Sequence, residues 1–202
     1  MRSLAFPLVV MLSLGGASAD DAAPLAFVAI PGTGYKVVVG ETQLDRSGRP
    51  KRDLTTAINV WIAAEFDLPT TDSMPLVVNA SARQMIAVRY RAQDPSEAFD
   101  PPARNADREA GHEILALYDD RARVIYLSEG WTGATPAEIS VLVHETVHHH
   151  QNLSGQRFAC GGERERPAYV AQERFLGLFG RTLASEFGID PMTLLVRTTC
   201  VM

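Results

Sequence analysis

His144-Glu145-Thr146-Val147-His148 falls inside a stretch that reads as one long helix, and that combination constrains the fold more than any other feature of the chain. Residues four apart on an α-helix share a face, so the imidazoles of His144 and His148 can point at one ion. Glu145 lies about 100° round the helix from His144, within reach of a water at that ion without being a ligand itself. Two neutral nitrogen donors, an open coordination position and a carboxylate base are the minimum for a zinc hydrolase.

The flanking residues support the helix. Thr135-Pro136-Ala137-Glu138 reads as its start, with Thr135 as N-cap, Pro136 at the first helical position and Glu138 closing a capping box. No Gly or Pro interrupts the pattern until about Leu153, and Ser154-Gly155 supplies a stop. Ile139, Leu142, Val143, Thr146 and Val147 cover one side of the wheel. Ala137, Val141, His144, His148 and Gln151 share the other, which predicts a helix with an apolar back and a metal face lining a cleft.

A catalytic zinc site keeps three protein ligands, so a third is expected nearby. Glu163 opens a second amphipathic stretch that continues to about Phe187. Glu165 is the first choice there, since a small residue (Ala168) and a phenol (Tyr169) follow it on adjoining faces; Glu163 is the second and Glu173 the third. Acidic residues in a first helical turn also simply favour the positive end of the macrodipole.

These residues resemble the gluzincin branch of the zincin metallopeptidases, in which H-E-x-x-H on one helix is followed by a glutamate ligand on the next. The sixteen residues between His148 and Glu165 are near the gap that branch uses. The resemblance covers about residues 122–185. It implies His144, His148 and Glu165 as zinc ligands and Glu145 as general base. It also implies that Val124–Leu127, the second arm of a hairpin expected over Glu113–Tyr118 and Ala122–Leu127, is an edge strand that pairs with an extended peptide substrate. The metzincin extension is missing: His149-His150-Gln151-Asn152 stands where a glycine and a third histidine would follow.

Other side chains have two readings each. His149 either assists at the cleft rim, hydrogen-bonding Glu145 or a developing oxyanion, or is a helix-end histidine facing the C-terminal dipole. His150 faces the apolar back, as a packed or hydrogen-bonded core residue. His112 stands alone. Tyr169 is a transition-state hydrogen-bond donor or a core aromatic. Cys160 and Cys200, both in the exported chain, pair as a disulfide; the competing role for Cys160 is a fourth zinc ligand.

The N-terminus carries an export signal: a basic Met1-Arg2-Ser3, an apolar Leu4 to Leu14 too short to span a bilayer, and Ala17-Ser18-Ala19 as cleavage site. Cleavage after residue 19 of the 202 leaves 183, with no cysteine at the new end to carry a lipid. The leader takes only Arg2 of the 19 basic residues, so 18 face 24 acidic ones and the net charge moves from −5 to −6. An acidic chain without basic clusters excludes nucleic acid and anionic membrane as expected partners. A periplasmic or secreted protein with a peptide or protein substrate and no stable membrane anchor is the expectation, and nothing in the chain sets an oligomeric state.

An apolar fraction of 46% fits one domain over residues 20–202. Leu54–Phe66 and Ser81–Tyr90 read as helices and Pro75–Asn79 as a strand, while Pro95 and Pro101-Pro102 mark an exposed loop. Gly32-x-Gly34 lacks the third glycine and strand-turn-helix frame of a nucleotide site. The expected fold class is α+β: a small mixed sheet with an edge hairpin, packed on a central metal-binding helix and a second long helix, as in zincins. The rival reading is a non-catalytic metal-binding or interaction domain on the same frame, against which an intact Glu145 speaks. Metal-assisted hydrolysis of a bond other than a peptide is the third.

Overall fold

A computed structural model of the chain describes residues 27–66, 68, 73–93 and 114–200. The leader, the 95–102 loop, His112 and Glu113 lie outside the described residues. The elements are β1 (Phe27–Ala29), β2 (Lys36–Val38), α1 (Arg52–Glu65), β3 (Leu76–Ala80), α2 (Ala82–Gln93), β4 (Ala116–Asp119), β5 (Val124–Ser128), α3 (Pro136–Leu153), α4 (Gly161–Gly177), α5 (Leu183–Phe187) and α6 (Pro191–Thr198). The class is α+β, with the expected small mixed sheet. Gly32 and Gly34 fall in the turn of the β1–β2 hairpin, where both adopt positive φ, and no helix follows them.

The three-stranded sheet runs in the order β3-β5-β4, with β3 parallel and β4 antiparallel to β5. This corrects the edge assignment. Val124–Leu127 belongs to the central strand, whose Ile125 is paired with Val77 on one side and Tyr118 on the other. The edge beside the helices is β4. The partner that covers β5 comes from Leu76–Ala80, far upstream, and no local pattern announces a long-range parallel pairing. The buried Val124, Ile125 and Leu127 do suit a strand enclosed by neighbours.

α3 is capped as its sequence predicts: Glu138 N–H donates to Thr135 Oγ1 at 3.2 Å, and the Glu138 carboxylate accepts from Thr135 N–H at 3.0 Å. Every residue from Ile139 to Gln151 is buried. The helix is therefore enclosed on both sides, its apolar side by the core and its histidine side by α4. Apolar contacts fix α4 from behind, where Trp61 of α1 meets Phe175 edge-on at 5.8 Å. The expected single stretch to Phe187 is broken at Gly177; Gly180 turns the chain at positive φ, and Thr182 caps the separate α5.

Two fastenings hold the cleft together. Asp120, at the tip of the β4–β5 hairpin, takes a bidentate pair from Arg164 of α4 at 2.6 Å, while its backbone oxygen accepts from Asn152 of α3 at 2.7 Å. At the other end, Cys160 and Cys200 form the expected disulfide, joining the start of α4 to the tail. A 40-residue separation puts the stabilisation at about 3–4 kcal/mol in the chain-entropy model. Among the described residues no helix is long and apolar enough to cross a membrane.

Beside that disulfide, Gly162 sits where a Cβ would come within 2.8 Å of the Thr199 carbonyl oxygen and 3.0 Å of its nitrogen, whereas a Cβ at Gly161 would meet nothing within 4 Å. Gly162→Ala should destabilise the fold by about 1–3 kcal/mol, because the obstruction is backbone tied by a cross-link. Gly161→Ala should stay within about 0.5 kcal/mol of the parent. Urea midpoints of the two variants measure the difference, and equal midpoints would contradict this close approach.

Candidate metal centre

Three side chains converge between α3 and α4. Nε2 of His144 lies 3.1 Å from one oxygen of Glu165, and Nε2 of His148 lies 3.4 Å from the other. The three ligand atoms are all within 4.8 Å of one another, and the imidazole centroids are 5.0 Å apart. Helical spacing puts both histidines on one face of α3, and the first turns of α4 bring Glu165 across to them. The trio named from sequence is thus brought together.

The opposite ring nitrogens are each held by a glutamine. His148 Nδ1 meets Gln151 Oε1 at 2.8 Å, and His144 Nδ1 meets Gln172 Oε1 at 3.1 Å. The amide orientations follow from the next atom along. Gln151 Nε2 faces the Arg164 carbonyl at 2.9 Å, which can only accept. Gln172 Nε2 faces Ser140 Oγ at 3.1 Å, and the single Ser140 proton is already committed to the Ala137 carbonyl at 2.8 Å. Both amides therefore present oxygen to the imidazoles, both Nδ1 atoms donate, and each neutral ring turns an Nε2 lone pair toward Glu165.

Three acceptors facing one another need a positive charge between them. Burial opposes charging His148, but the hydrogen bond to Glu165 and the nearby Glu145 outweigh it and raise its pKa. Burial likewise works against an ionised Glu165, yet the bonds from His144 and His148 hold its carboxyl well below the usual carboxylate range. Without an ion, the raised His148 pKa favours a proton at the site. With one, the same lone pairs are ligands.

Glu145 is 9% exposed and lines the same cleft, outside the converging trio. The cleft holds about 720 Å³ and is bounded by Leu115 and Ala116–Tyr118 of β4, the histidine face of α3, the first turns of α4, and Phe187, Ile189 and Arg197. Tyr169 stands edge-on to His144 at 4.7 Å between centroids, half-buried at the cleft, and its hydroxyl accepts from Arg197 at 2.9 Å. The alternative glutamates are engaged elsewhere: Glu163 accepts from Ala159 N–H and Glu173 from Leu183 N–H, both at 2.6 Å. The disulfide removes Cys160 as a ligand.

His149 lies neither at the cleft rim nor at a helix-end dipole. It is fully buried and donates from Nε2 to the Ser73 carbonyl at 2.6 Å, so its Nδ1 accepts from the Tyr118 hydroxyl at 3.0 Å. Burial, with Asp120 adding to it, pushes that phenol up to about 12. His149 therefore ties α3 to the edge strand. It points away from the metal face because successive helical residues differ by about 100°. His150 is the core residue expected, facing a cavity of about 190 Å³ with Ile62, Phe66 and Val147, and its Nε2 has no hydrogen-bond partner among the described residues.

Gln172, Ser140 and Arg197 were not singled out from sequence. A signal existed for two of them: Gln172 follows Glu165 by seven residues, two helical turns, and Ser140 precedes His144 by four. Arg197 had none, since its position depends on the tail folding back.

The pH dependence of the chelator-treated protein tests this geometry. The lowered pKa of Glu165 contributes stability above the unfolded value of about 4.3, and that contribution is lost as pH falls through the folded value. The raised pKa of His148 contributes stability below about 6.5, lost as pH rises through its folded value. The Tm of chelated protein should therefore peak between about pH 4.5 and 6.5. A Tm that climbed steadily from pH 6 to 8 would contradict the pairing.

No curated protein and no solved structure matches this chain. Residues 47–201, which carry the whole converging site, match the family model described as a domain of unknown function (DUF6647), and the chain belongs to that family.

Proposed function

We propose that the protein is an exported zinc-dependent hydrolase of zincin type, acting on peptide bonds. The observation that carries this reading is the pair of imidazoles whose Nε2 lone pairs are fixed by Gln151 and Gln172 and aimed at Glu165. Two nitrogens and one carboxylate suit zinc, and among the described residues no fourth His, Cys, Asp or Glu joins the group. Three protein donors with an accessible cleft in front fit a catalytic site, not a closed structural one. Held by His144, His148 and Glu165, the ion would supply Lewis-acid polarisation of a carbonyl and of a water.

The chain's own residues do the rest. Glu145 takes a proton from the attacking water and passes it to the departing amine. Gln151 and Gln172 hold the ligand rings in one tautomer. The cleft edge of β4 offers backbone hydrogen-bonding groups to an extended peptide, the part first assigned to β5. Tyr169 stands close enough to His144 to donate to a developing oxyanion. Export to the periplasm or beyond, read from the leader, is supported by the disulfide.

Mature protein should bind about one zinc, more weakly at low pH, where protons compete with the ion for its donors. Glu165→Ala should lose the metal and Glu163→Ala should keep it. Gln172→Leu should weaken zinc binding roughly 10- to 100-fold, since it removes the acceptor that sets the His144 tautomer. Glu145→Gln should lower kcat by about 10²–10⁴ on a peptide library while zinc content stays at the parent level. Release of the metal by Glu145→Gln, or a zinc-loaded parent that cuts no peptide, would turn the assignment to a metal-binding domain.

A further inference from the structure

We propose that Arg197 makes this cleft a site for the free C-terminal carboxylate of a peptide, so that the substrate class is an unblocked C-terminus and the product a short C-terminal fragment. This rests on the peptidase reading above. Arg197 lines the cleft and directs a guanidinium N–H at the Tyr169 hydroxyl, 2.9 Å away, and the Tyr169 ring lies 4.7 Å from the ring of His144. Those two short steps place the guanidinium within about three residues of extended chain from the metal face, at roughly 3.3–3.6 Å per residue.

Among the described residues Arg197 enters no ion pair, whereas Arg164, also at the cleft, is neutralised by Asp120. Arg89 lines the cleft as well, but has no oriented partner among the described residues. Arg197 sits in the last turn of α6, where a side chain could simply face the helix dipole, yet its donor goes across to α4. Because the Tyr169 oxygen accepts from Arg197, its own proton remains free to donate. That proton serves the oxyanion, and the rest of the guanidinium fork, with no ion pair among the described residues to satisfy it, matches a planar group that only accepts.

The neighbouring wall is apolar. Phe187 and Ile189 lead directly into α6 and line the same cleft, so an apolar final residue fits beside the guanidinium. In the reaction, the oxygen of water bonds to the carbonyl carbon and the C–N bond breaks. The amine takes the proton delivered by Glu145, and the released fragment leaves with the carboxylate that Arg197 held.

The experiment compares acetyl-Ala-Ala-Ala-Phe as free acid and as C-terminal amide, using zinc-loaded mature protein for turnover and its Glu145→Gln variant for binding by calorimetry. The acid should be favoured over the amide by roughly 10- to 100-fold in both kcat/KM and Kd, as expected for hydrogen bonds to a charged group. Arg197→Gln, shown by zinc content and Tm to be folded, should bring that ratio close to one. Arg197→Lys should recover only part, a point charge replacing a fork. A ratio near one in the parent, or one that survives Arg197→Gln, overturns the proposal. Peptides bound with the acid preference but not cut would sink the hydrolase reading and leave Arg197 standing. Peptides cut without the preference would do the reverse, and peptides neither bound nor cut would overturn both.

Discussion

Between α3 and α4 the protein buries a seam of polar side chains where most helix pairs bury aliphatic ones. Ser140, His144, His148, Gln151 and Gln172 are all buried, and each unmet donor or acceptor there would cost on the order of 1–3 kcal/mol. The helices can pack only if the bonds run in one direction: Gln172 to Ser140 and on to Ala137 at one end, Gln151 to the Arg164 carbonyl at the other. That direction sets both histidine tautomers. Packing and ligand preparation are thus one event, and the remaining unmet acceptors all meet at Glu165. The seam concentrates its electrostatic debt at a single point, where a proton or a cation must sit.

The rest of the fold positions this seam against something. β4 lies against α3 through the Tyr118–His149–Ser73 chain, whose two rings are buried and whose protons are each assigned, and through Asp120, which holds Arg164 and Asn152 together. Edge strand, metal face and α4 therefore keep one relative placement. The histidine that first reads as a catalytic helper is a structural fastening for the cleft's other wall. A triple His148-His149-His150 divides its labour by helical rotation alone: one ring toward the metal face, one toward the sheet, one toward the apolar cavity behind.

What could be read from sequence was local. The capping box of α3, its extent, the histidines at i and i+4, and the glutamate in the first turns of the next helix are set by residues close in the chain, and they stand where the pattern puts them. The strand order was not legible, because β5 is enclosed by β3 through a parallel pairing across the whole α2 segment. The role of His149 was missed because its partners, Ser73 and Tyr118, are 76 and 31 residues away. Arg197 was invisible for a similar reason. A disulfide can be anticipated from two cysteines behind a leader-like N-terminus, but not which side chain the returning tail delivers to the cleft.

That tail has an unusual mechanical footing. α6 has no fully buried residue, and Met192, Leu195 and Val196 are more than half exposed, while Leu194 packs half-buried against the Leu176, Leu183 and Ile189 cluster. Its N-terminus is capped by Asp190 through Thr193 N–H at 2.7 Å, and its C-terminal end is joined to the start of α4 by the disulfide, against the space left by Gly162. A helix with so narrow a core face is fixed at both ends as well, and the bond from Arg197 to Tyr169 then needs only a local rotamer choice. The Cys160–Cys200 bond is thus part of the shape of the cleft. The cross-link does for the outer wall what the buried polar seam does for the metal face.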